Sequence, residues 1–368
     1  MSFSALALDK SLTDAVRALG YESPTPIQQQ AIPAILAGKD IMAGAQTGTG
    51  KTAAFALPIL QQLIKQTGAL RPIRALILTP TRELAQQVYK SILGYAKNTQ
   101  LNVAVAYGGV SINTQISAIH KGVDILIATP GRLLDHIAKK NVDLSQLQTF
   151  VFDEADRMLD MGFKDEIDQI LNRVPNKRQT LLFSATFDDA IFKLSRTLLN
   201  APTLIEVNER NAAAVQVEQR VYTVDSDRKR ELTSFLIGSK NWQQVLIFTR
   251  TKKMADDLAK EMCKDGIQTQ SLHGDKSQGA RERVLAEFKQ GKTRALVATD
   301  LAARGIDIID LKYVINYELP YVAEDYIHRI GRTGRAGNSG LAISLMSPNE
   351  EWLLEAIEKV LDSVLLQQ

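Results

Sequence analysis

Cysteine, tryptophan and long apolar runs are scarce in this 368-residue sequence. Cys263 is its only cysteine, so an intrachain disulfide is impossible and a reducing cytoplasm is the simplest expectation. The neighbouring apolar residues have helical spacing, which predicts that this thiol is buried and unreactive. No apolar run approaches the ~20 residues of a membrane span, and Met1–Ser4 lacks the charged and apolar segments of a secretory signal. We therefore expect a cytoplasmic protein that does not enter a membrane.

A strong excess of one charge is also missing. The formal net charge is +3, which is too small to indicate a nucleic-acid partner by itself, so any basic surface must be local. An apolar share of 45% is ordinary for globular proteins, and the length favours two or three domains. Composition thus predicts globular domains but does not identify their partner.

Short apolar or β-branched runs alternate with helical patterns along almost the whole chain, which is typical of a parallel α/β fold. The polar stretch Asn208–Ala214 interrupts this alternation and is interpreted as an interdomain linker. We predict a first domain at 1–207, a linker at 208–217 and a second domain of similar architecture at 218–368. The predicted strands are Ile41–Ala43, Arg74–Thr79, Val103–Tyr107, Asp124–Ala128, Thr149–Phe152, Thr180–Ser184, Thr203–Val207, Gln219–Val224, Val245–Thr249, Gln268–Leu272, Arg294–Ala298, Lys312–Asn316 and Gly340–Met346.

A segment after the first predicted strand has the pattern of a phosphate-binding loop. Its glycines allow successive N–H groups to converge on a polyphosphate, and the helix that follows directs its positive dipole end there. Lys51 is expected to reach the terminal phosphates, and Thr52 to bind Mg²⁺. A glycine-rich turn without a ligand is the alternative, which the strand–loop–helix context disfavours. The loop, with Ala where the general pattern has its first Gly, comprises Ala45, Gln46, Thr47, Gly48, Thr49, Gly50, Lys51 and Thr52.

Acidic residues follow the apolar run Thr149–Phe152, at the end of a predicted strand, where open α/β sheets bind ligands. Asp153 is expected to hold Mg²⁺, largely through water. Glu154 is expected to orient and deprotonate the attacking water. In isolation such acids more often begin a helix, but the phosphate loop upstream favours the catalytic interpretation.

The segment His328–Arg335 contains three arginines and a histidine. Arg332 and Arg335 would share one helix face if the segment were helical, and paired guanidinium groups match phosphate oxygens. A solvated basic surface is the alternative. Because only the first half has a phosphate loop, we interpret these two side chains as arginine fingers that complete its site when the domains close. For His328, the sequence does not favour either of two roles, a structural hydrogen bond or a contact with the ligand.

With these motifs the chain resembles the DEAD-box ATP-dependent RNA helicases, whose name-giving motif is Asp153–Asp156. Ala45 fits this family, whose loop reads A-x-T-G-x-G-K-T. The resemblance extends from Phe3 to about Met346 and is nearest to bacterial RhlE-like members. It implies two RecA-like domains joined by a flexible linker, ATP and Mg²⁺ as cofactors, and RNA-stimulated ATP hydrolysis that opens short duplexes locally. The other family motifs occur in family order at Gly20–Gln28, Pro80–Ala85, Gly108–Gly109, Thr129–Arg132, Ser184–Thr186 and Thr299–Asp307, followed by the arginine cluster.

The resemblance also implies roles for residues that spacing leaves without one. Gln28 would read adenine through its amide. Tyr21 would stack on the base with support from Phe3, and Asp307 would contact the ribose. Hydrogen bonds from Ser184 and Thr186 towards Asp156 would couple hydrolysis to strand separation. His328 would take part in the same coupling.

RNA is the implied partner, gripped mainly by backbone amides, hydroxyls and arginines. Such groups contact phosphates and sugars, so binding should not depend on sequence. Asp300 would accept from a 2′-hydroxyl or position Arg304. A DNA-directed translocase and an RNA clamp within a larger complex are the alternatives, and proteins of RNA turnover or ribosome assembly are possible partners. The implied RNA contacts are Pro80, Thr81, Arg82, Gly109, Thr129, Arg132, Arg250, Gln278, Arg281, Thr299 and Asp300.

Overall fold

The structure, a computed structural model, describes residues 2–44, 49–65, 71–187, 189–206, 217–303, 308, 311–334, 340–361 and 363–367. The chain divides into two compact units, Met1–Asn208 and Glu209–Gln368. All of the predicted linker at 208–217 except its last residue lies outside the described residues.

Unit 1 is built around one parallel sheet whose strands alternate with helices. Strands β1 to β7 are Ile41–Gly44, Ala75–Leu78, Val103–Ala106, Ile125–Ala128, Thr149–Phe152, Gln179–Ser184 and Thr203–Glu206. The helices begin with the 3-10 turn Phe3–Leu6 and continue with α1 to α9: Lys10–Ala18, Pro26–Leu36, Lys51–Ile64, Arg82–Ala96, Ile112–Ile119, Pro130–Ala138, Ala155–Asp160, Lys164–Leu171 and Asp189–Leu198. The strand order is β3-β4-β2-β5-β6-β1-β7.

Helices cover both faces of this sheet, which explains why its central strands are apolar without interruption. Strands β2, β4 and β5 are buried along their whole length. Their side chains divide alternately between two cores: Ile77 and Val151 belong to one, and Leu76 and Phe150 to the other. Such burial fixes the strand register, because a shift by one residue would exchange the two sets. The carboxyl ends of the strands are thereby held in one line.

Unit 2 repeats this architecture. Strands β8 to β14 are Val217–Thr223, Val245–Thr249, Thr269–Leu272, Ala295–Thr299, Tyr313–Asn316, Gly340–Met346 and Leu366–Gln367. Helices α10 to α15 are Lys229–Ser239, Lys252–Lys264, Gln278–Lys289, Asp300–Ala303, Ala323–Ile330 and Glu351–Leu361, with a 3-10 turn at Pro348–Glu350. The order β10-β11-β9-β12-β13-β8-β14 is that of unit 1 when each set is numbered from its own first strand.

The predicted parallel α/β class is confirmed in both units, and every predicted strand overlaps an observed one. The short edge strand β14 was not predicted, because two residues cannot show an alternating pattern. Cys263 is exposed, so the prediction of a buried thiol is wrong; its sulfhydryl donates to the Thr269 carbonyl at 3.2 Å. No helix within the described residues has the length and apolar character needed to cross a membrane.

Candidate nucleotide and RNA sites

In unit 1 the predicted site residues that follow strands lie at the carboxyl edge of the sheet. The phosphate loop follows β1, the acidic motif follows β5, and Ser184 ends β6. Predicted RNA contacts follow β2, β3 and β4. Because β3-β4-β2 and β5-β6-β1 are contiguous in the sheet, the edge divides between β2 and β5. We call the loops after β2, β3 and β4 the RNA half, and those after β1, β5 and β6 the nucleotide half.

The described part of the phosphate loop begins at Thr49. Gly50 precedes α3 with φ at 89°, a left-handed conformation that favours glycine. Lys51 is the first helical residue, and its buried Nζ makes no hydrogen bond within the described residues. Desolvating an ammonium group is costly, so a buried lysine without a partner indicates a site shaped for an anion. Thr52 is partly buried beside it, whereas the predicted loop residues Ala45, Gln46, Thr47 and Gly48 lie outside the described residues.

Gln28 connects the start of α2 to the phosphate loop. Its Oε1 accepts a hydrogen bond from the Thr25 backbone N–H at 3.0 Å, and its Nε2 donates to the Gly50 carbonyl at 3.1 Å. A side chain at position 50 would collide with this amide. Glycine is therefore required here for two reasons: the positive φ and the lack of space for a Cβ. Gln28 is only 3% exposed. Its amide retains one N–H and one lone pair for the predicted contact with adenine.

The predicted base-stacking residue Tyr21 belongs to an aromatic group on the surface of unit 1. It lies parallel to the Phe3 ring, with centroids 6.4 Å apart and planes at 25°. Its hydroxyl is 3.1 Å from that of Tyr95, whose ring is buried. With 39% of its surface exposed, Tyr21 is held by neighbours and still offers a ring face to a ligand.

Asp153 is the buried carboxylate of the nucleotide half. Its Oδ1 has no hydrogen-bond donor within the described residues, and its side chain is 2% exposed. Burial raises the pKa of Asp153 to about 6, against the attraction of Lys51, while Glu154 and Asp156 raise it further. A carboxylate oxygen left without a donor at a strand end is a suitable ligand for a hard cation such as Mg²⁺. The residues present therefore fit the predicted metal.

Glu154 adopts a strained backbone conformation, with φ at 56° and ψ at 55°. A non-glycine residue in this region costs about 1–3 kcal/mol, and such outliers concentrate at functional sites. The conformation begins α7 directly after β5 and turns the side chain into a buried position. Arg157 pairs with the carboxylate, with Nη1 3.3 Å from Oε2. This buried arginine was not predicted as a site residue, although its spacing of three from Glu154 on a helix start is a sequence signal.

The coupling motif makes a different contact from the one predicted. Asp156 Oδ2 accepts a hydrogen bond from the backbone N–H of Ala185 at 3.2 Å. The predicted hydrogen bond from the Ser184 hydroxyl is not formed in this structure, and the contact from Thr186 stays a prediction. Ser184 is fully buried, and its Oγ lacks a partner in the part of the chain that the structure describes. Because the donor is a backbone N–H, this hydrogen bond does not depend on the side chain at position 185.

The RNA half of unit 1 presents helix starts. Thr81 is the N-cap of α4, with its hydroxyl accepting from the Leu84 N–H at 3.3 Å. Thr129 is the N-cap of α6, which has Pro130 in its first turn. Helix N-termini bind phosphate through free N–H groups and the helix dipole. The predicted contacts Pro80, Thr81, Arg82, Thr129 and Arg132 therefore share one physical feature.

A glycine turn between these helix starts is packed against Arg82. Gly109 has φ at 82°, and a side chain there would collide with the Arg82 guanidinium. The close neighbour of this glycine is thus a side chain. Arg132 donates from Nη1 and Nη2 to the Val110 carbonyl at 3.2 and 3.1 Å. Its guanidinium thus supports the turn, and its contact with RNA stays a prediction.

Unit 2 shows the same division of its carboxyl edge. Arg250 follows β9, Gln278 and Arg281 lie on α12 after β10, and Thr299 and Asp300 end β11 and begin α13. Strands β10, β11 and β9 are contiguous, so the predicted RNA contacts again occupy one half. The arginine cluster follows β12 instead, in the other half.

Two predicted RNA contacts of unit 2 are engaged with protein groups. Arg250 pairs with Glu350 at 2.5 Å and lies over the Tyr321 ring at 4.3 Å. Asp300 receives two hydrogen bonds from Arg329, at 2.5 and 2.6 Å. Arg329 is 1% exposed, and sequence reasoning assigned it no role although it lies within the arginine cluster. RNA contact by Arg250 and Asp300 stays a prediction.

The arginine cluster is not one continuous helix. Helix α14 ends at Ile330 with Gly331 as its C-cap, so Arg332 lies beyond the helix and the condition for a helix face shared with Arg335 is not met. Arg332 is buried, and His328 Nδ1 lies 3.8 Å from Asp325 Oδ1. The predicted residues Asp307 and Arg335, and also Arg304, lie outside the described residues.

Comparison with known proteins identifies the family. Residues 25–194 match the family model described as DEAD/DEAH box helicase, and residues 227–337 match the helicase conserved C-terminal domain. The chain is 42% identical over 357 residues to ATP-dependent RNA helicase CshA of Listeria monocytogenes, covering 97% of this chain and 68% of that protein. It belongs to the DEAD-box ATP-dependent RNA helicases.

Two further comparisons agree with this result. The helicase is 42% identical over 362 residues to DEAD-box ATP-dependent RNA helicase RhpA of Helicobacter pylori, covering 98% of this chain and 73% of that protein. It also matches the structure of Saccharomyces cerevisiae Dbp5 bound to RNA and ADP BeF3, with a TM-score of 0.89 and 32% identity over 100% of this chain and 95% of that one. The predicted RecA-like fold is confirmed, and the helicase is an ATP-hydrolysing enzyme. Nearness to RhlE-like members stays a prediction.

Proposed function

We propose that this helicase couples RNA-stimulated ATP hydrolysis to local, non-processive opening of short RNA duplexes. One observation carries the proposal: Lys51 Nζ and Asp153 Oδ1 are both buried at the nucleotide half without a hydrogen-bond partner among the described residues. A buried cation and a buried carboxylate oxygen are the two groups that a magnesium–triphosphate complex requires.

The nucleotide would be held by unit 1. Lys51 would contact the terminal phosphates, the loop that ends at Thr52 would surround them, and Thr52 and Asp153 would hold Mg²⁺ largely through water. Bound Mg²⁺ would neutralise negative charge on the phosphates. Gln28 and Tyr21 would recognise the base, since an amide distinguishes adenine from guanine by its donor and acceptor.

Glu154 would act as the base. Its strained backbone fixes the carboxylate next to Asp153, and the ion pair with Arg157 restricts its rotation. A carboxylate held in this way can orient a water molecule and take its proton as the water attacks the phosphate. Arg332 and Arg335 would supply positive charge to the transition state, a contribution typically worth about 10³–10⁵ in rate.

RNA would be bound by its backbone. Helix starts at Thr81 and Thr129, and the glycine turn beside Arg82, offer N–H groups and positive charge rather than a surface that reads bases. Binding should therefore tolerate any sequence and prefer RNA through its 2′-hydroxyls.

We further assign the two functional domains to 1–207 and 218–368, with 208–217 as linker, and a cytoplasmic location. The assignment of domains follows the polar composition between the two α/β patterns. The location follows from a chain with a single cysteine. Proteins of RNA turnover or ribosome assembly are the partners this activity would serve.

Phosphate release with matched single strands of RNA and DNA tests the proposal. RNA should stimulate hydrolysis strongly and DNA weakly. Glu154→Gln should retain binding of ATP and RNA but lose turnover, because an amide cannot accept the proton. Equal stimulation by both strands would exclude an RNA-directed enzyme, and undiminished phosphate release by the variant would exclude Glu154 as the base.

A further inference from the structure

The glycine turn of the RNA half, defined here as Tyr107–Val110, is held to the protein by its carbonyl groups. The Tyr107 carbonyl accepts from Gln115 Nε2 at 2.9 Å, and the Val110 carbonyl accepts from Arg132. In contrast, the N–H groups of Gly108 and Gly109 donate to no acceptor within the described ranges. Gly109 is exposed. The turn thus has its acceptors satisfied and its donors available, which is the arrangement that an anion needs.

Gln115, on helix α5, joins this turn to helix α6. While its Nε2 donates to Tyr107, its Oε1 accepts from Arg132 Nη1 at 3.1 Å and lies 3.0 Å from His136 Nε2. The side chain is 7% exposed. One amide therefore contacts two of the segments for which RNA binding is proposed, the glycine turn and helix α6.

The hydrogen bonds also fix the state of His136. Gln115 uses its amino group for Tyr107, so its oxygen acts as an acceptor and the histidine must carry a proton on Nε2. His136 is fully buried, and burial, followed by the nearby charge of Arg132, lowers its pKa. A neutral ring with one N–H suits this site, because the guanidinium and the imidazole then donate to the same oxygen without a second positive charge beside Arg132.

We propose that Gln115 is a positioning residue for RNA binding. By holding the Tyr107 carbonyl and the Arg132 guanidinium, it keeps the N–H groups of Gly108 and Gly109 directed at an RNA phosphate. It does not itself touch RNA. The inference rests on the proposed RNA contacts of Gly109 and Arg132.

The chemistry of the side chain allows a sharp test. Methionine has nearly the volume of glutamine but makes none of the three hydrogen bonds, so Gln115→Met separates positioning from packing. Gln115→Glu can still accept from Arg132 and His136 but cannot donate to Tyr107. Ser117→Ala is the matched control, because the only partner of this exposed hydroxyl among the described residues is the Asn113 carbonyl on the same helix.

The experiment uses the full chain and a fluorescein-labelled single-stranded RNA, with a non-hydrolysable ATP analogue and Mg²⁺. Fluorescence anisotropy gives the RNA affinity, and phosphate release against RNA concentration gives the half-saturating RNA and kcat. Gln115→Met should weaken RNA binding about tenfold, as expected for losing hydrogen bonds to a charged group. Nucleotide affinity without RNA, and kcat at saturating RNA, should stay near wild type. Gln115→Glu should lose less, and Ser117→Ala should change nothing.

Two results would overturn the inference. One is an RNA affinity of Gln115→Met equal to wild type, which would reduce the residue to packing. The other is a parallel loss of RNA and nucleotide affinity, which would indicate general damage to unit 1. If the wild type itself shows no RNA-stimulated hydrolysis, the proposed function fails first and the positioning role with it.

Discussion

Replacing Asp153 with Asn should make the helicase more stable and inactive at once. Burial raises the pKa of this carboxyl from 3.8 to about 6, a value that already includes the attraction of Lys51. Each pKa unit corresponds to about 1.4 kcal/mol, so the charged form costs about 3 kcal/mol of folding free energy above pH 6. Asparagine has the same shape without the charge. The variant should therefore gain up to about 3 kcal/mol near neutral pH.

The pH dependence gives this prediction its sign. Because the folded state binds the proton more tightly than the unfolded chain, the wild type loses stability as the pH rises from about 4 to about 6. Below that window both proteins carry a neutral side chain, and the gain should vanish. A gain that persists below pH 4, or a less stable variant near pH 7, would refute the assigned cost of burial.

The assay must report on unit 1 alone. Both tryptophans, Trp242 and Trp352, lie in unit 2, so intrinsic fluorescence follows that unit and serves as an internal control. Amide hydrogen exchange in β5 and β6, measured by mass spectrometry in increasing denaturant, reports on unit 1 around Asp153. Exchange should slow in the variant while the fluorescence transition stays unchanged. If the variant also loses phosphate release, the charged Asp153 of the wild type lowers stability but is needed for metal binding.

Three further substitutions test separate parts of the site. Gly109→Ala should weaken RNA binding measured by anisotropy, because the new methyl group would collide with Arg82 in a turn at φ 82°. Gly238→Ala, on helix α10 with open space around its Cβ, is the control, and equal losses would contradict the reasoning. Gln28→Ala should erode the preference for ATP over GTP in competition binding, and intact discrimination would exclude it as adenine reader. Arg335→Ala should keep nucleotide affinity within a few-fold but reduce RNA-stimulated phosphate release by at least about 10³; unchanged release would exclude a finger.

The sequence predicts the elements of this fold well because their causes are local. Buried parallel strands are largely apolar, as Phe150–Phe152 is, and a loop between strand and helix favours glycine where φ is positive, as at Gly50. Similar alternation in both halves also predicts that the two units share an architecture. The residue types that follow the predicted strands then indicate the site from the sequence alone.

Contacts between distant elements could not be predicted in this way. The pairing of Asp300 with Arg329 and the hydrogen bond from Ala185 to Asp156 depend on which strands are neighbours and how far each helix extends. The helix that would have placed Arg332 and Arg335 on one face ends before both for a local reason, because Gly331 is its C-cap. Cys263 follows the buried Met262, so helical rotation by one residue carries it out of the core.

The division of each carboxyl edge into an RNA half and a nucleotide half is tested most directly by crosslinking. An RNA strand containing 4-thiouridine is bound with an ATP analogue and Mg²⁺, irradiated, and the attached peptides are identified by mass spectrometry. Crosslinks should fall in the loops after β2, β3 and β4, and after β9, β10 and β11. Crosslinks concentrated after β1, β5 and β6 would contradict the division and the assignment of both sites.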